Sequence, residues 1–158
     1  MVSRGIQPSE RTQLELARAF AHNGNVDEVK SRLGDRNDLQ ALNSYIQAYC
    51  EKGDVSRAVE AFRFLLKRHE PNERTYGYMI AAHARDGDAG GAELAYKELM
   101  EKELKPYLSI FMDMVHVRHK AGDVIGLLAI YGSALKVGLG TRRLLIPIKA
   151  ALKDLGRP

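Results

Sequence analysis

The sequence predicts an all-α fold in which about four helix-turn-helix repeats stack into an α-solenoid and a last helix caps the C-terminal end. The first observation is a recurring hinge of glycine followed by aspartate or asparagine, at Gly24-Asn25, Gly53-Asp54, Gly87-Asp88 and Gly122-Asp123. The spacings between these glycines, continued to Gly156, are 29, 34, 35 and 34 residues. A period of this size is typical of stacked helical hairpins, because one hairpin cannot bury its apolar face without a neighbour.

The second observation is that apolar residues keep fixed distances from each hinge glycine. Seven residues before the glycine stand Ala17, Ile46, Ile80 and Val115, and five residues after it stand Val29, Ala58, Ala92 and Leu127. Two residues after it stand Val26, Val55, Ala89 and Val124, and nine residues after it stand Leu33, Phe62, Tyr96 and Tyr131. Columns of this kind predict the buried face of each helix.

Each hinge accounts for one helix ending and the next beginning at once. In AYCEKGDVSRAVEAF, residues 48–62, Gly53 can take the left-handed conformation that ends a helix. Asp54 then offers a short side-chain oxygen to the exposed N–H groups of the following helix. We therefore interpret the pair as the turn between two antiparallel helices.

The elements follow in order from these hinges. First helices are expected near residues 10–23, 39–52, 73–86 and 108–121, second helices near 26–33, 55–69, 89–103 and 124–137, and a last helix at about 142–155. Pro71 and Pro106 follow second helices, where a residue without an N–H ends a helix. Pro147 lies inside the last helix, which is therefore expected to start later than its counterparts or to kink. The predicted organisation is an N-terminal extension over 1–9 and a solenoid over 10–158, with repeats at about 10–38, 39–72, 73–107 and 108–141 and a terminal helix at 142–158.

Composition restricts the class of protein. The chain has 158 residues, 45% of them hydrophobic and 28% charged, as expected for one folded domain. No apolar run approaches the roughly 20 residues that span a bilayer, so no membrane partner is expected. A single cysteine, Cys50, excludes an internal disulfide. The net charge of +4 permits a polyanionic partner without requiring one.

Two segments resemble the pentatricopeptide repeat family. They are NSYIQAYCEKGDVSRAVEAFRFLLKRHEPN, residues 43–72, and ERTYGYMIAAHARDGDAGGAELAYKELMEKELKPY, residues 73–107. They are similar to the family motif in its order of Tyr-Cys-Lys-x-Gly, Ala-x-x-x-Phe and a final Pro-Asp. The tetratricopeptide repeat is the alternative family with helical hairpins of this length, but it places its glycine about twelve residues before the small alanine. Here that interval is five residues, from Gly53 to Ala58 and from Gly87 to Ala92.

The resemblance implies a right-handed superhelix whose first helices line a groove for single-stranded RNA, with one base held per repeat. It also implies that a pair of side chains selects each base, one ten residues before the hinge glycine and one at the end of the repeat. The corresponding pairs are Leu14 with Asp38, Asn43 with Asn72, Gly77 with Tyr107, and Met112 with Thr141. Only Asn43 with Asn72 fits the family pattern, which implies a pyrimidine there, cytosine for preference. One such pair supplies little sequence selectivity.

Cationic and polar residues recur at positions expected near that groove, thirteen, six or two residues before the hinge glycines. With the asparagine pair, they complete the candidate RNA-binding set: Arg11, Arg18, Gln40, Arg74, Arg85, Lys120 and Arg143. Such an array can follow a phosphate backbone, or it can simply solvate the helices. Salt dependence separates the two interpretations, because only phosphate contacts release counterions.

The sequence offers no convincing catalytic or metal site. Asp113, His116 and His119 can share a helix face, but no fourth ligand is evident. The run GDAGGAE, residues 87–93, lacks the preceding strand and the Lys-Ser/Thr of a phosphate loop. We therefore expect no enzyme activity, no cofactor, no metal and no small-molecule substrate.

The leading hypothesis is a non-catalytic single-stranded RNA-binding protein of organellar RNA metabolism or translation. The resemblance implies a mitochondrial location or, alternatively, a plastid one. The alternative is a structural or scaffold subunit of a mitochondrial ribosome or RNA-processing complex, which contacts ribosomal RNA or neighbouring proteins without reading bases. Three hydrophobic residues near the expected groove, Leu14, Met112 and Ile146, favour that alternative.

Overall fold

The computed structural model describes residues 7–156, and every regular element in that range is an α-helix, so the all-α prediction is confirmed. The described range holds nine helices: α1 (Glu10–His22), α2 (Val26–Leu33), α3 (Leu39–Lys52), α4 (Val55–Leu66), α5 (Glu73–Asp86), α6 (Ala89–Glu101), α7 (Leu108–Lys120), α8 (Val124–Lys136) and α9 (Arg142–Asp154). Residues 1–6 of the predicted N-terminal extension and residues 157–158 of the terminal helix lie outside the described residues.

The hinges have the predicted geometry. Gly53 and Gly87 end α3 and α5 in the left-handed conformation, with φ of 81° and 80°. Asp54 then caps α4 by accepting a hydrogen bond from the backbone N–H of Arg57 at 3.2 Å. Side-chain caps of the same kind start six other helices, at Ser9, Asn25, Asp38, Asn72, Asp88 and Asp123. Local chemistry therefore sets most helix starts, as the sequence predicts.

Two of the four apolar columns form the core. Every residue seven before or five after a hinge glycine is buried, from Ala17 to Leu127. The column two residues after the glycine is less uniform, since Val26 is buried and Ala89 is exposed. This position follows the N-cap directly, so it lies at the edge of the hairpin.

Two second helices end earlier than predicted. α4 ends at Leu66, three residues before its expected end, and the N–H groups of Arg68 and His69 both bond to the carbonyl of Leu65. α6 ends at Glu101, because Glu103 adopts a positive φ of 54° and the N–H of Leu104 reaches back to the carbonyl of Leu99. At both helix ends these backbone hydrogen bonds satisfy carbonyl groups of the last turn, which have no partner within the helix.

The chain forms two compact units, divided between Glu70 and Pro71. In the first unit α1 packs on α2 and α3, and α3 packs on α4. Its core is built mainly from small and branched side chains: Leu14, Ala17, Ala21, Val26, Val29, Leu33, Ala41 and Ala48. α2 has only 8 residues, because Gly34 ends it with a positive φ of 55°.

In the second unit α7 is central and contacts α5, α6, α8 and α9. Its largest fully buried side chains come from all five helices and include Tyr76, Ile80, Leu99, Phe111, Met114, Leu127, Ile130, Leu144 and Ile148. α9 begins at Arg142, at the expected position and not later than its counterparts, and the helix runs through Pro147. Because proline has no N–H, the carbonyl of Arg143 loses its helical partner there.

Candidate nucleic-acid interface

Three predicted RNA-binding residues of the first unit lie around one depression between α1 and α3. Arg11, Arg18 and Gln40 line it, and the buried side chain of Leu14 also contributes. The depression has a volume of about 390 Å³ and is open to solvent. Its full lining contains three guanidinium groups and two carboxylates: Glu10, Arg11, Leu14, Glu15, Arg18, Arg36 and Gln40. The lining is therefore of mixed charge and partly apolar, with one more guanidinium group than carboxylates.

The three arginines of the depression differ in how their charge is engaged. Arg18 donates one hydrogen bond to Glu15 at 2.7 Å and another to Gln40 at 3.3 Å. Arg36 donates to Asp38 at 2.9 Å. Arg11 is exposed and makes no hydrogen bond or ion pair with any other residue in the described part of the chain. An anion could bind Arg11 without displacing another contact. To bind an anion, Arg18 would have to give up its hydrogen bond to Glu15.

Asn43 and Asn72, the predicted base-reading pair, have unequal surroundings. Asn43 lies on α3 with only 6% of its surface exposed. Asn72 caps α5, where its side-chain oxygen accepts from the backbone N–H of Thr75 at 3.0 Å. In return, the backbone N–H of Asn72 donates to the Thr75 hydroxyl at 3.3 Å. This reciprocal arrangement is a capping box, so the Asn72 side chain stabilises the start of α5.

Asp38, the partner expected for Leu14, is also a helix cap. It starts α3 by accepting from the backbone N–H of Ala41 at 3.2 Å. Burial alone would raise the pKa of Asp38, but the hydrogen bonds from Arg36 and Ala41 lower that pKa below its usual value. Asp38 therefore stays ionised and carries negative charge at the edge of the depression.

The second unit contains an arrangement that sequence reasoning missed: the ring of Tyr107 occupies the space beside Gly77. A Cβ atom on Gly77 would overlap the Tyr107 hydroxyl and lie 2.7 Å from Cζ. Burial raises the pKa of Tyr107 to about 12, so its phenol is neutral at ordinary pH. Gly77 and Tyr107 occupy the two positions that correspond to a base-selecting pair in that repeat, although they do not fit the family pattern. In this chain they pack against each other instead.

The four candidate cations of the second unit lie at helix ends and are exposed. Arg74 and Arg143 belong to the first turns of α5 and α9, and Arg85 and Lys120 to the last turns of α5 and α7. Arg74 and Arg85 are separated by eleven residues, or about 16 Å along the helix axis. The structure therefore distributes these charges along the first helices.

Arg118 is a further cation of α7, and it is fully engaged inside the second unit. Its guanidinium donates to both carboxylate oxygens of Glu93, at 2.8 and 3.0 Å, and to the carbonyl of Gly126 at 2.8 Å. It also lies 5.8 Å from the ring centroid of Tyr96. The sequence contains no signal for this pairing, because Arg118 and Glu93 are 25 residues apart. Arg118 joins three helices and is not free to bind a ligand.

A cleft of about 440 Å³ lies on another side of the first unit. It is lined mainly by aromatic and apolar side chains with a few polar groups: Lys30, Gly34, Asp35, Leu42, Tyr45, Tyr49, Ala61 and Phe64. The shortness of α2 leaves Tyr45 and Tyr49 only half-buried. The early Gly34 was the only sequence signal for this cleft.

One of the two histidines considered as metal ligands has an acidic neighbour outside the predicted set. His119 Nε2 lies 3.2 Å from Asp154. Among the residues that the structure describes, no group of three or more His, Cys, Asp or Glu side chains is arranged to hold a metal ion. In the same part of the chain, no helix has the length and apolar character needed to cross a membrane.

Comparison with known proteins finds two kinds of helical-repeat relatives. Residues 15–110 match the family model of the bacterial transcriptional activator domain. The chain is also similar to two pentatricopeptide repeat-containing proteins of Arabidopsis thaliana. One is 31% identical over 88 residues, covering 55% of this chain and 12% of the relative, and the other is 26% identical over 115 residues, covering 67% and 21%.

The chain thus spans less than a quarter of the length of these curated relatives. The two kinds of match agree on a helical repeat and differ in the repeat family that they name. The family-model match covers more than half of the chain, so the protein belongs to the helical-repeat family of the bacterial transcriptional activator domain, and over part of its length it is similar to pentatricopeptide repeat proteins.

Proposed function

We propose that this chain is a non-catalytic repeat protein that binds single-stranded RNA in organellar RNA metabolism or translation, in mitochondria or alternatively in plastids. The observation that carries the proposal is the depression between α1 and α3, where Arg11, Arg18 and Gln40 meet beside Leu14. Guanidinium groups bind phosphate oxygens in pairs of hydrogen bonds, and an amide can contact a base edge. Similarity to the Arabidopsis pentatricopeptide repeat proteins supports this ligand class.

The proposal favours backbone binding over base reading in this chain. Asn43 is nearly buried and Asn72 is engaged as a helix cap, so each would have to change its contacts to pair with a base. Tyr107 fills the space beside Gly77. We therefore expect affinity that depends strongly on salt and weakly on sequence.

The test is fluorescence anisotropy with a labelled single-stranded RNA across a series of salt concentrations. Two phosphate contacts contribute about 1.4 to the slope of log affinity against log salt, so Arg11→Gln with Arg18→Gln should lower the slope by about that amount. The matched control is Arg63→Gln with Lys67→Gln, which removes the same charge from exposed positions on or directly after α4. Absence of binding by the wild type at low salt would overturn the proposal.

A second candidate function is a scaffold subunit of a mitochondrial ribosome or RNA-processing complex. It is favoured by an apolar stripe on α8, where Ile125, Leu128 and Leu135 are 82%, 55% and 53% exposed. These residues share one face by helical spacing, and a contiguous exposed apolar patch is typical of a protein contact.

The scaffold function can be tested by isolating the protein from its source with and without ribonuclease. Protein partners that survive ribonuclease and disappear with Ile125→Asp and Leu128→Asp would support it. Partners that all disappear with the RNA would contradict it and favour direct RNA binding.

A further inference from the structure

The exposed face of α9 carries three cations in one line. Arg142, Lys149 and Lys153 fall within about 40° of one another around the helix, and Ile146 lies on the same face. All four side chains are exposed. We call them the terminal basic stripe. The opposite face of the helix, formed by Leu144, Ile148 and Ala151, is buried in the second unit, where α9 contacts α7 and α8.

The cations of the terminal basic stripe have no acidic partner in the part of the chain that the structure describes. Within the described residues, none of the three makes an ion pair or a hydrogen bond through its side chain. The positions three and four residues away on α9 hold leucine, isoleucine, alanine or another lysine. The helix has one carboxylate, Asp154, and it lies 3.2 Å from His119. Other helices place acids beside their cations, as in Arg32 with Glu28.

This arrangement opposes the electrostatics of the helix itself. Lys149 and Lys153 are four residues apart, and like charges at that spacing destabilise a helix. Arg142 lies in the first turn, which is the positive end of the helix dipole and disfavours a cation. In contrast, α1, α2 and α5 place acidic residues in that turn. Helix stability does not explain the stripe, and a bound polyanion would relieve both repulsions.

We propose that the terminal basic stripe binds the phosphate backbone of RNA. The inference takes its ligand class from the proposed function but concerns a different surface. The three cations extend over eleven residues, or about 16 Å, which is long enough to contact successive phosphates of one strand. The stripe holds no hydrogen-bond acceptor, so it contacts phosphate without reading bases.

The composition of the stripe favours a nucleic acid over a protein partner. Lysine is depleted at the centre of protein interfaces, whereas lysine and arginine supply most phosphate contacts. Ile146 is the one large apolar side chain among the four residues, too little to form the core of a protein interface. A membrane surface fits poorly as well, because the apolar face of α9 is already covered by the second unit.

The test compares two triple variants of the full chain with the wild type. The first is Arg142→Gln, Lys149→Gln and Lys153→Gln. The control is Lys97→Gln, Lys102→Gln and Lys105→Gln, which removes the same charge from exposed positions in and after α6. The probe is a labelled 20-nucleotide oligouridine, which is longer than the stripe, with affinity measured between about 50 and 200 mM salt.

We expect the stripe variant to lose at least about tenfold in affinity at 50 mM salt and about 2 units of salt slope, since each single-strand phosphate contact contributes about 0.7. The control should change affinity by less than about threefold. The thermal unfolding midpoint of the stripe variant should not fall, because removing like charges favours α9. A stripe variant that binds like the control overturns the inference. The proposed function survives that outcome if the Arg11 and Arg18 variant still loses affinity.

Polyglutamate of matched charge is the competitor that separates RNA from an acidic protein. Suppose that polyglutamate displaces labelled oligouridine from the wild type but not from the stripe variant. The stripe then accepts any acidic chain, and the RNA assignment is wrong. If it fails to compete where unlabelled oligouridine succeeds, the assignment is supported.

Discussion

Replacement of Gly77 by alanine tests whether the phenol of Tyr107 occupies the place of a side chain on α5. The new methyl group would overlap the Tyr107 hydroxyl and lie 2.7 Å from Cζ. Overpacking of this kind costs about 1–3 kcal/mol, whereas alanine in a helix interior gains about 0.8–1 kcal/mol over glycine. The net expectation is a loss of about 1 kcal/mol in the free energy of unfolding, measured by urea titration with far-UV circular dichroism.

The effect of Gly77→Ala on the free energy of unfolding should change sign when Tyr107 is removed first. In a Tyr107→Ala background only helix propensity remains, so Gly77→Ala should stabilise by about 0.5–1 kcal/mol. The coupling between the two positions is then about 2 kcal/mol. Gly132→Ala on α8 is the control, because its Cβ would meet no atom within 4 Å and should stabilise in both backgrounds. If Gly77→Ala stabilises the wild type as much as Gly132→Ala does, Tyr107 does not fill that position.

Two further predictions concern polar groups of the second unit. Because burial raises the pKa of Tyr107 from 10.0 to about 12, its contribution to stability is complete below pH 10 and is lost as pH rises toward 12. Urea titrations across that window should show a shallower loss for Tyr107→Phe than for the wild type, and equal slopes would contradict the burial of this phenol. Arg118→Met should cost about 2 kcal/mol, because Arg118 makes charged hydrogen bonds to Glu93 and Gly126 from a mostly buried position. Arg36→Met, which breaks a more exposed pair, should cost less than about 1 kcal/mol, and equal losses would refute the ranking.

The candidate site was only partly predictable from the sequence. The period placed Arg11, Arg18 and Gln40 on first helices, and the structure brings them to one depression because α1 packs on α3. Asn43 was a candidate by position, but position does not reveal that packing leaves its side chain only 6% exposed. Asn72 was expected to read a base, whereas its local sequence also suits a helix cap, and the hydrogen bonds with Thr75 show that it acts as one.

What the sequence determined by itself is the helical pattern. Hinge glycines, the aspartate and asparagine caps and the apolar columns act within one or two helical turns, so the identities of neighbouring residues suffice to predict them. The tertiary structure decided which polar groups are free and which are engaged. Arg118 with Glu93, and Tyr107 beside Gly77, depend on contacts between residues 25 and 30 positions apart. The repeat period brings such residues near each other, but only side-chain packing between helices selects the pairs that form.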